Sequence, residues 1–105
     1  MITSLILFKL QDKITGQLSD IEQSREFFRN NVELFKTVPG LKEKYYINDP
    51  RTSARGAFLL WESKDAFEAY LKSDIWKEEV LDNCIGYPDI ELYELDAILT
   101  QGVLI

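Results

Sequence analysis

At 105 residues and 12.2 kDa the chain has room for one small domain, which folds with little margin because a chain of this size buries roughly 60–70% of the surface its unfolded form exposes. A formal net charge of −6, with no concentrated basic patch, gives phosphate backbones no reason to approach, so nucleic-acid binding is not expected. The complete lack of histidine and the single cysteine, Cys84, exclude imidazole metal or haem ligation, a histidine-activated nucleophile and an internal disulfide.

Residues 2–10 are β-branched and aliphatic, with Ile2, Ile6, Phe8 and Leu10 on one face and Leu5 and Leu7 on the other. Such a strand is predicted to be buried on both sides. The start of the chain lacks the basic residues and length of a signal peptide, and no apolar run is long enough to span a bilayer. A cytoplasmic protein without membrane contact is therefore expected. Residues 11–18 are polar and carry Gly16, and read as a loop.

Ser19-Asp20-Ile21-Glu22 has the spacing of a capping box and opens a helix to about Lys36. Its expected stripe is Ile21, Phe28, Val32 and Phe35, flanked by Phe27 and Leu34, and Pro39-Gly40 stops it. Leu41 to Asn48 is the second strand, with Leu41, Tyr45 and Ile47 alternating against Lys42, Lys44 and Tyr46. Lys42 and Lys44, with Lys36 nearby, read as a solvated strand edge. Asn48-Asp49-Pro50-Arg51-Thr52-Ser53 is turn chemistry joining it to a third strand, Ala54 to Glu62. There Ala57, Leu59 and Trp61 share one face, and Gly56, Phe58 and Leu60 the other.

Ser63 caps a second helix whose buried stripe is Ala66, Phe67, Tyr70 and Leu71. Ser73-Asp74 opens a short further helix with Ile75, Trp76, Val80 and Leu81. The fourth strand runs roughly Asp89 to Leu95, and an apolar tail fills 96–105. The order β-α-β-β-α-β is ferredoxin-like α+β, with a four-stranded antiparallel sheet in one domain spanning 1–105. Two helices cover one sheet face only. The other face would be a large apolar patch, so a homodimer is expected, with Phe58 and Leu60 as interface candidates and the tail free to cross onto the partner.

Any pocket is expected on the helix side, carrying Trp61 as an aromatic wall. Tyr45 and Tyr70 are candidates to hydrogen-bond a ligand there, among amphipathic rings that also include Tyr46 and Tyr93. Trp76 is a candidate wall residue read equally as core. Arg55 shares Trp61's parity near the hairpin, where it forms a surface ion pair or points a cation at a developing anion. Glu43 stands on the more apolar face of its strand, as an edge residue or a proton acceptor with a raised pKa. No phosphate-binding glycine loop, metal-ligand spacing or paired carboxylates stand out.

Pro39-Gly40-Leu41, Lys44-Tyr45-Tyr46, Gly56-Ala57 and the run "LLWESKDAFEAYLKSDIW" resemble the dimeric α/β-barrel superfamily, and within it the YdhR-type monooxygenases. The resemblance implies a homodimer whose sheets face each other as a barrel, a pocket between sheet and helices, and oxygenase chemistry without a cofactor. The run "WESKDAFEAYLKSDIWKEEV" is also similar to the haem-degrading branch, in which the tryptophan matching Trp61 lines the haem pocket. That branch's ligating histidine would fall near Val80, and this chain has none, so haem is not expected. The resulting expectation is a cofactor-independent monooxygenase for a small hydrophobic aromatic or quinol-type molecule. The alternatives are a non-catalytic dimeric ligand-binding or stress-response module with a filled pocket, and a subunit of a larger assembly.

Overall fold

β1, Ile2–Phe8, lies at the centre of the molecule because both of its faces are apolar enough to be covered. The structure, a computed structural model, describes residues 1–12, 14, 21–49, 51–52 and 54–104. The elements after β1 are α1 (Ile21–Phe35), β2 (Leu41–Asn48), β3 (Arg55–Trp61), α2 (Lys64–Leu71), a π-helical turn (Trp76–Val80), a 3-10 turn (Leu81–Asn83) and β4 (Asp89–Glu94). The sheet order is β2-β3-β1-β4, with every neighbouring pair antiparallel, which is the ferredoxin-like α+β arrangement. The residues proposed to cap α1, Ser19 and Asp20, and the turn residues Pro50 and Ser53 lie outside the described residues.

The register sorts the side chains onto two faces. Ile2 pairs with Trp61, Ser4 with Leu59, Ile6 with Ala57 and Phe8 with Arg55, and these residues face the helices. Thr3, Leu5 and Leu7, paired with Leu60, Phe58 and Gly56, face the other way. The helix side holds the core, built from Ile6, Phe35, Leu59, Trp61, Phe67, Tyr70 and Trp76. An aliphatic side chain buried as fully as Ile6 or Leu59 contributes about 1.5–3 kcal/mol.

β2 departs from simple alternation. Leu41 pairs with Trp61 and Glu43 with Leu60, so Lys42 is an extra residue in a β-bulge. Beyond it Lys44 pairs with Leu59 and Tyr46 with Ala57, on the helix side, while Glu43 and Tyr45 take the outer face. The expected grouping of Leu41 with Tyr45 is thereby corrected: one inserted residue flips every later side chain of the strand.

Local chemistry fixes the joints. Gly40 ends the α1–β2 connection at φ 76°, a conformation that disfavours other residues, and a Cβ there would collide with the Ala66 Cβ. Ser63 accepts the Ala66 N–H at 3.2 Å and starts α2. Ser73 accepts the Trp76 N–H at 3.2 Å and donates to the Tyr70 carbonyl at 2.6 Å, tying α2 to the π turn. Beyond β4 the tail folds as a small hairpin, β5 (Leu99–Thr100) and β6 (Val103–Leu104), turning through Gln101-Gly102 with both φ values positive. Leu99, Val103 and Leu104 are exposed on it.

Candidate functional site

The second strand, the first helix and the π turn enclose a cavity of about 310 Å³ against the helix side of the sheet. Its floor is Ile6, Phe8, Ala57 and Leu59. α1 supplies Phe27, Phe28 and Phe35, and the opposite wall is Tyr70, Trp76 and Val80. This volume is at the lower end of the range for small-molecule sites, and the lining has their usual character of apolar surface with few polar groups.

One polar cluster stands at the Phe35 end. The Lys44 ammonium lies 3.1 Å from the centroid of the Phe35 ring and 4.6 Å from that of Tyr46. Lys44 Nζ donates to Asn31 Oδ1 at 3.3 Å, and the Tyr46 hydroxyl donates to the same oxygen. Among the described residues Lys44 has no carboxylate partner. Burial therefore lowers its pKa from 10.5 to about 7. The ring faces return about 0.5–2 kcal/mol to the charged form. That is less than the several kcal/mol that burial takes from an ammonium group, so the shift stays downward.

Burial pushes the Tyr46 hydroxyl up to about 12, keeping it a hydrogen-bond donor. The Tyr70 pKa is raised by burial and then by the fields of Tyr46 and Cys84. Among the described residues the Tyr70 hydroxyl makes no hydrogen bond, and the residue lines the cavity. Cys84 also lines the cavity, and burial raises its thiol to about 11, which makes it a poor nucleophile.

Of the residues singled out by sequence, Tyr70, Trp76 and Arg55 line the cavity. Trp61 does not. Its ring is fully buried between Phe67 and Tyr70, and its indole N–H donates to Ser4 Oγ at 2.9 Å, so it is a packing residue behind the wall. Tyr45 and Glu43 are also away from the cavity. The bulge turns both to the outer face, where Tyr45 is 55% exposed and its hydroxyl donates to Glu43 at 2.7 Å. Glu43 is therefore not a proton acceptor within this cavity.

Lys44 is the converse correction. It reads as a solvated edge residue in the sequence and is enclosed by aromatic rings in the fold. Asn31 was hidden as well, although it falls on the stripe of Phe27, Phe28 and Phe35 at helical spacing, while the expected stripe residue Val32 is exposed. A polar residue inside an aromatic stripe was the available signal. Val80, where a haem-ligating histidine would fall, offers no ligand atom to the cavity. No cluster of carboxylate and thiol side chains able to hold a metal ion occurs among the described residues.

Solved structures share this architecture. A putative antibiotic biosynthesis monooxygenase from Deinococcus radiodurans superposes with a TM-score of 0.68 at 12% identity, over 95% of this chain and 97% of that one. The chain has the fold of the antibiotic biosynthesis monooxygenases. A second such protein, from Bordetella bronchiseptica, gives a TM-score of 0.67 at 15% identity over 90% of this chain and 95% of its own. A variant of SnoaB, a cofactor-independent oxygenase from Streptomyces nogalater, gives 0.64 at 13% identity over 95% and 97%. These neighbours have the fold expected from the sequence resemblance and do not single out its YdhR-type branch. No protein-family model matches the sequence, and no curated protein is significantly similar to it.

Proposed function

We propose that this protein is a cofactor-independent monooxygenase acting on a small hydroxylated aromatic or quinol-type molecule held in the cavity between sheet and helices. The observation that carries the reading is Lys44, a desolvated amine set among aromatic rings in an otherwise apolar cavity. At neutral pH a large fraction of Lys44 is uncharged and able to accept a proton from a phenol or enol. The resulting ammonium is held beside the substrate anion by Asn31 and by the face of Phe35.

An electron-rich carbanion or phenolate can itself reduce dioxygen. The substrate gives one electron to oxygen, the two radicals combine to form a C–O bond, and the hydroperoxide so formed loses water to leave a carbonyl. Lys44 returns its proton to the peroxide, and the balance is one ring methylene, or one ring C–H of a quinol, oxidised by O₂, with one oxygen atom retained and the other released as water. The apolar walls exclude bulk water and so strengthen the interaction between the ammonium and the anion. In this reading the Tyr70 hydroxyl donates to a substrate oxygen, supported by its position in the cavity lining.

The functional unit in this reading is a homodimer joined through the outer sheet face, on which Leu7 and Phe58 stand beside Tyr45 and Tyr93. No helix of the described residues is long and apolar enough to cross a membrane.

Oxygen consumption with a panel of anthrones and hydroquinones tests the proposal. Wild type is expected to turn over at least one of them, with kcat/KM rising through an apparent pKa of about 7. Lys44→Met should lower the rate on the order of 10²-fold or more, the usual contribution of a general base, and flatten the pH profile. Tight binding across the panel without oxygen uptake overturns the reading in favour of a binding module.

A further inference from the structure

The cavity carries two basic side chains in an acidic protein. Among the described residues Lys44 and Arg55 line it with one acid, Glu79, in a chain of net charge −6. The two cations stand at opposite ends. Lys44 pairs across the sheet with Leu59, whereas Arg55 pairs with Asn48 beside the hairpin. Leu59 and Arg55 are four residues apart on β3, which at a strand rise of about 3.3 Å separates the two positions by about 13 Å. The floor between them is apolar, formed by Ala57 and Leu59 with Ile6 and Phe8.

Arg55 is only partly exposed, and among the described residues it makes neither an ion pair nor a side-chain hydrogen bond. The ion pairs there are Lys36–Glu33, Arg51–Asp49 and Lys64–Glu68, all at the surface. Among the described residues the surface ion pair expected for Arg55 from sequence does not occur. Among the described residues no carboxylate pairs with this arginine, which lines the cavity instead. A guanidinium is a rigid fork of donors suited to bidentate capture of a planar anion, and a partly desolvated one has the most to gain from it.

We infer that the cavity's ligand is an elongated aromatic carboxylic acid, its carboxylate docked on Arg55 and its ionisable ring hydroxyl or carbonyl at Lys44. This rests on the oxygenase reading for the identity of the reacting end, and on Arg55 alone for the carboxylate. Arg55 is then a specificity-determining residue some distance from the reacting atoms. It selects acids over their neutral analogues and sets which end of the molecule enters first.

The test is equilibrium binding, read by quenching of tryptophan fluorescence, since Trp76 lines the cavity. The probes are anthraquinone-2-carboxylate and the matching carboxamide, both already oxidised and so inert to turnover. Wild type should bind the carboxylate at least about tenfold more tightly, equivalent to about 1.4 kcal/mol. Arg55→Gln should lose that preference while keeping its affinity for the carboxamide, which also reports an intact cavity, and Arg55→Lys should retain part of it. Equal affinities in wild type, an Arg55→Gln protein that still discriminates, or failure to bind the carboxylate overturns the inference. Oxygen uptake plays no part in this measurement. A protein that discriminates without turnover loses the oxygenase reading alone, and one that turns over without discriminating loses only the carboxylate anchor.

Discussion

Lys44 shows how much one side chain's surroundings can change its chemistry. Its pKa is about 7 in the fold and 10.5 as an ordinary lysine. Across that interval the unfolded chain binds a proton that the folded chain does not, so stability rises with pH from about 7 towards 10.5. Below about pH 7 both states are protonated, and the fold carries the full cost of a buried charge. Lys44→Met removes that cost and keeps most of the volume. The variant should be the more stable protein at about pH 6, and its advantage should shrink by about 2 kcal/mol by about pH 8.5, taking about 1.4 kcal/mol per pKa unit. Tyr46 and Cys84, at about 12 and about 11, titrate in the fold above this window. Paired urea titrations at the two pH values measure the difference, and a gap that does not change with pH would contradict the burial of the amine.

Among the elements, the connection from α1 to β2 is tightly determined. Gly40 has a positive φ and almost touches Ala66, so Gly40→Ala meets two obstacles at once. The left-handed conformation costs a residue with a Cβ about 1–2 kcal/mol, and overpacking adds about 1–3 kcal/mol. Combining Gly40→Ala with Ala66→Gly removes the clash and leaves the backbone strain. Thermal denaturation should therefore show a large loss in the single variant and partial recovery in the double one. This junction was legible in the sequence, because Pro39-Gly40 is strong stop chemistry after a periodic apolar stripe. The faces of β2 were not. Lys42-Glu43-Lys44 has no apolar residue to mark where alternation resumes, and pairing with β3 decides it. The short helix after Ser73 was expected from sequence, but its π geometry, which turns Trp76 and Val80 towards the cavity, leaves no mark on local composition.

For the whole molecule, the unanswered demand is the outer face of the sheet. β1 and β3 are apolar there, and Leu7 and Tyr93 are exposed in the single chain. The sequence announced this through two strands with apolar residues on both faces, and the ferredoxin-like fold followed from element order. Which residues form the contact is finer information. Leu60 is already buried within the chain, whereas Phe58 is half-exposed. Light scattering should give about twice 12.2 kDa for wild type and a folded monomer for Phe58→Asp. Leu60→Asp should instead impair folding, since it buries a charge in the chain itself. A folded, dimeric Phe58→Asp protein would move the contact elsewhere, with the exposed hairpin of β5 and β6 the next surface to probe.

The bulge at Lys42 also has a bearing on lineage. An insertion or deletion of one residue is usually counted as a small event, but in this strand it decides which side chains meet solvent and which meet a bound molecule. Two relatives could carry the same letters from Lys44 to Asn48 and present opposite halves of them to the interior. Gain or loss of a single codon at this point would then exchange a buried amine for a tyrosine in one step, leaving the rest of the framework in place. Descent among such proteins is therefore better traced by matching β2 through its partners on β3 than by counting forward from Pro39-Gly40.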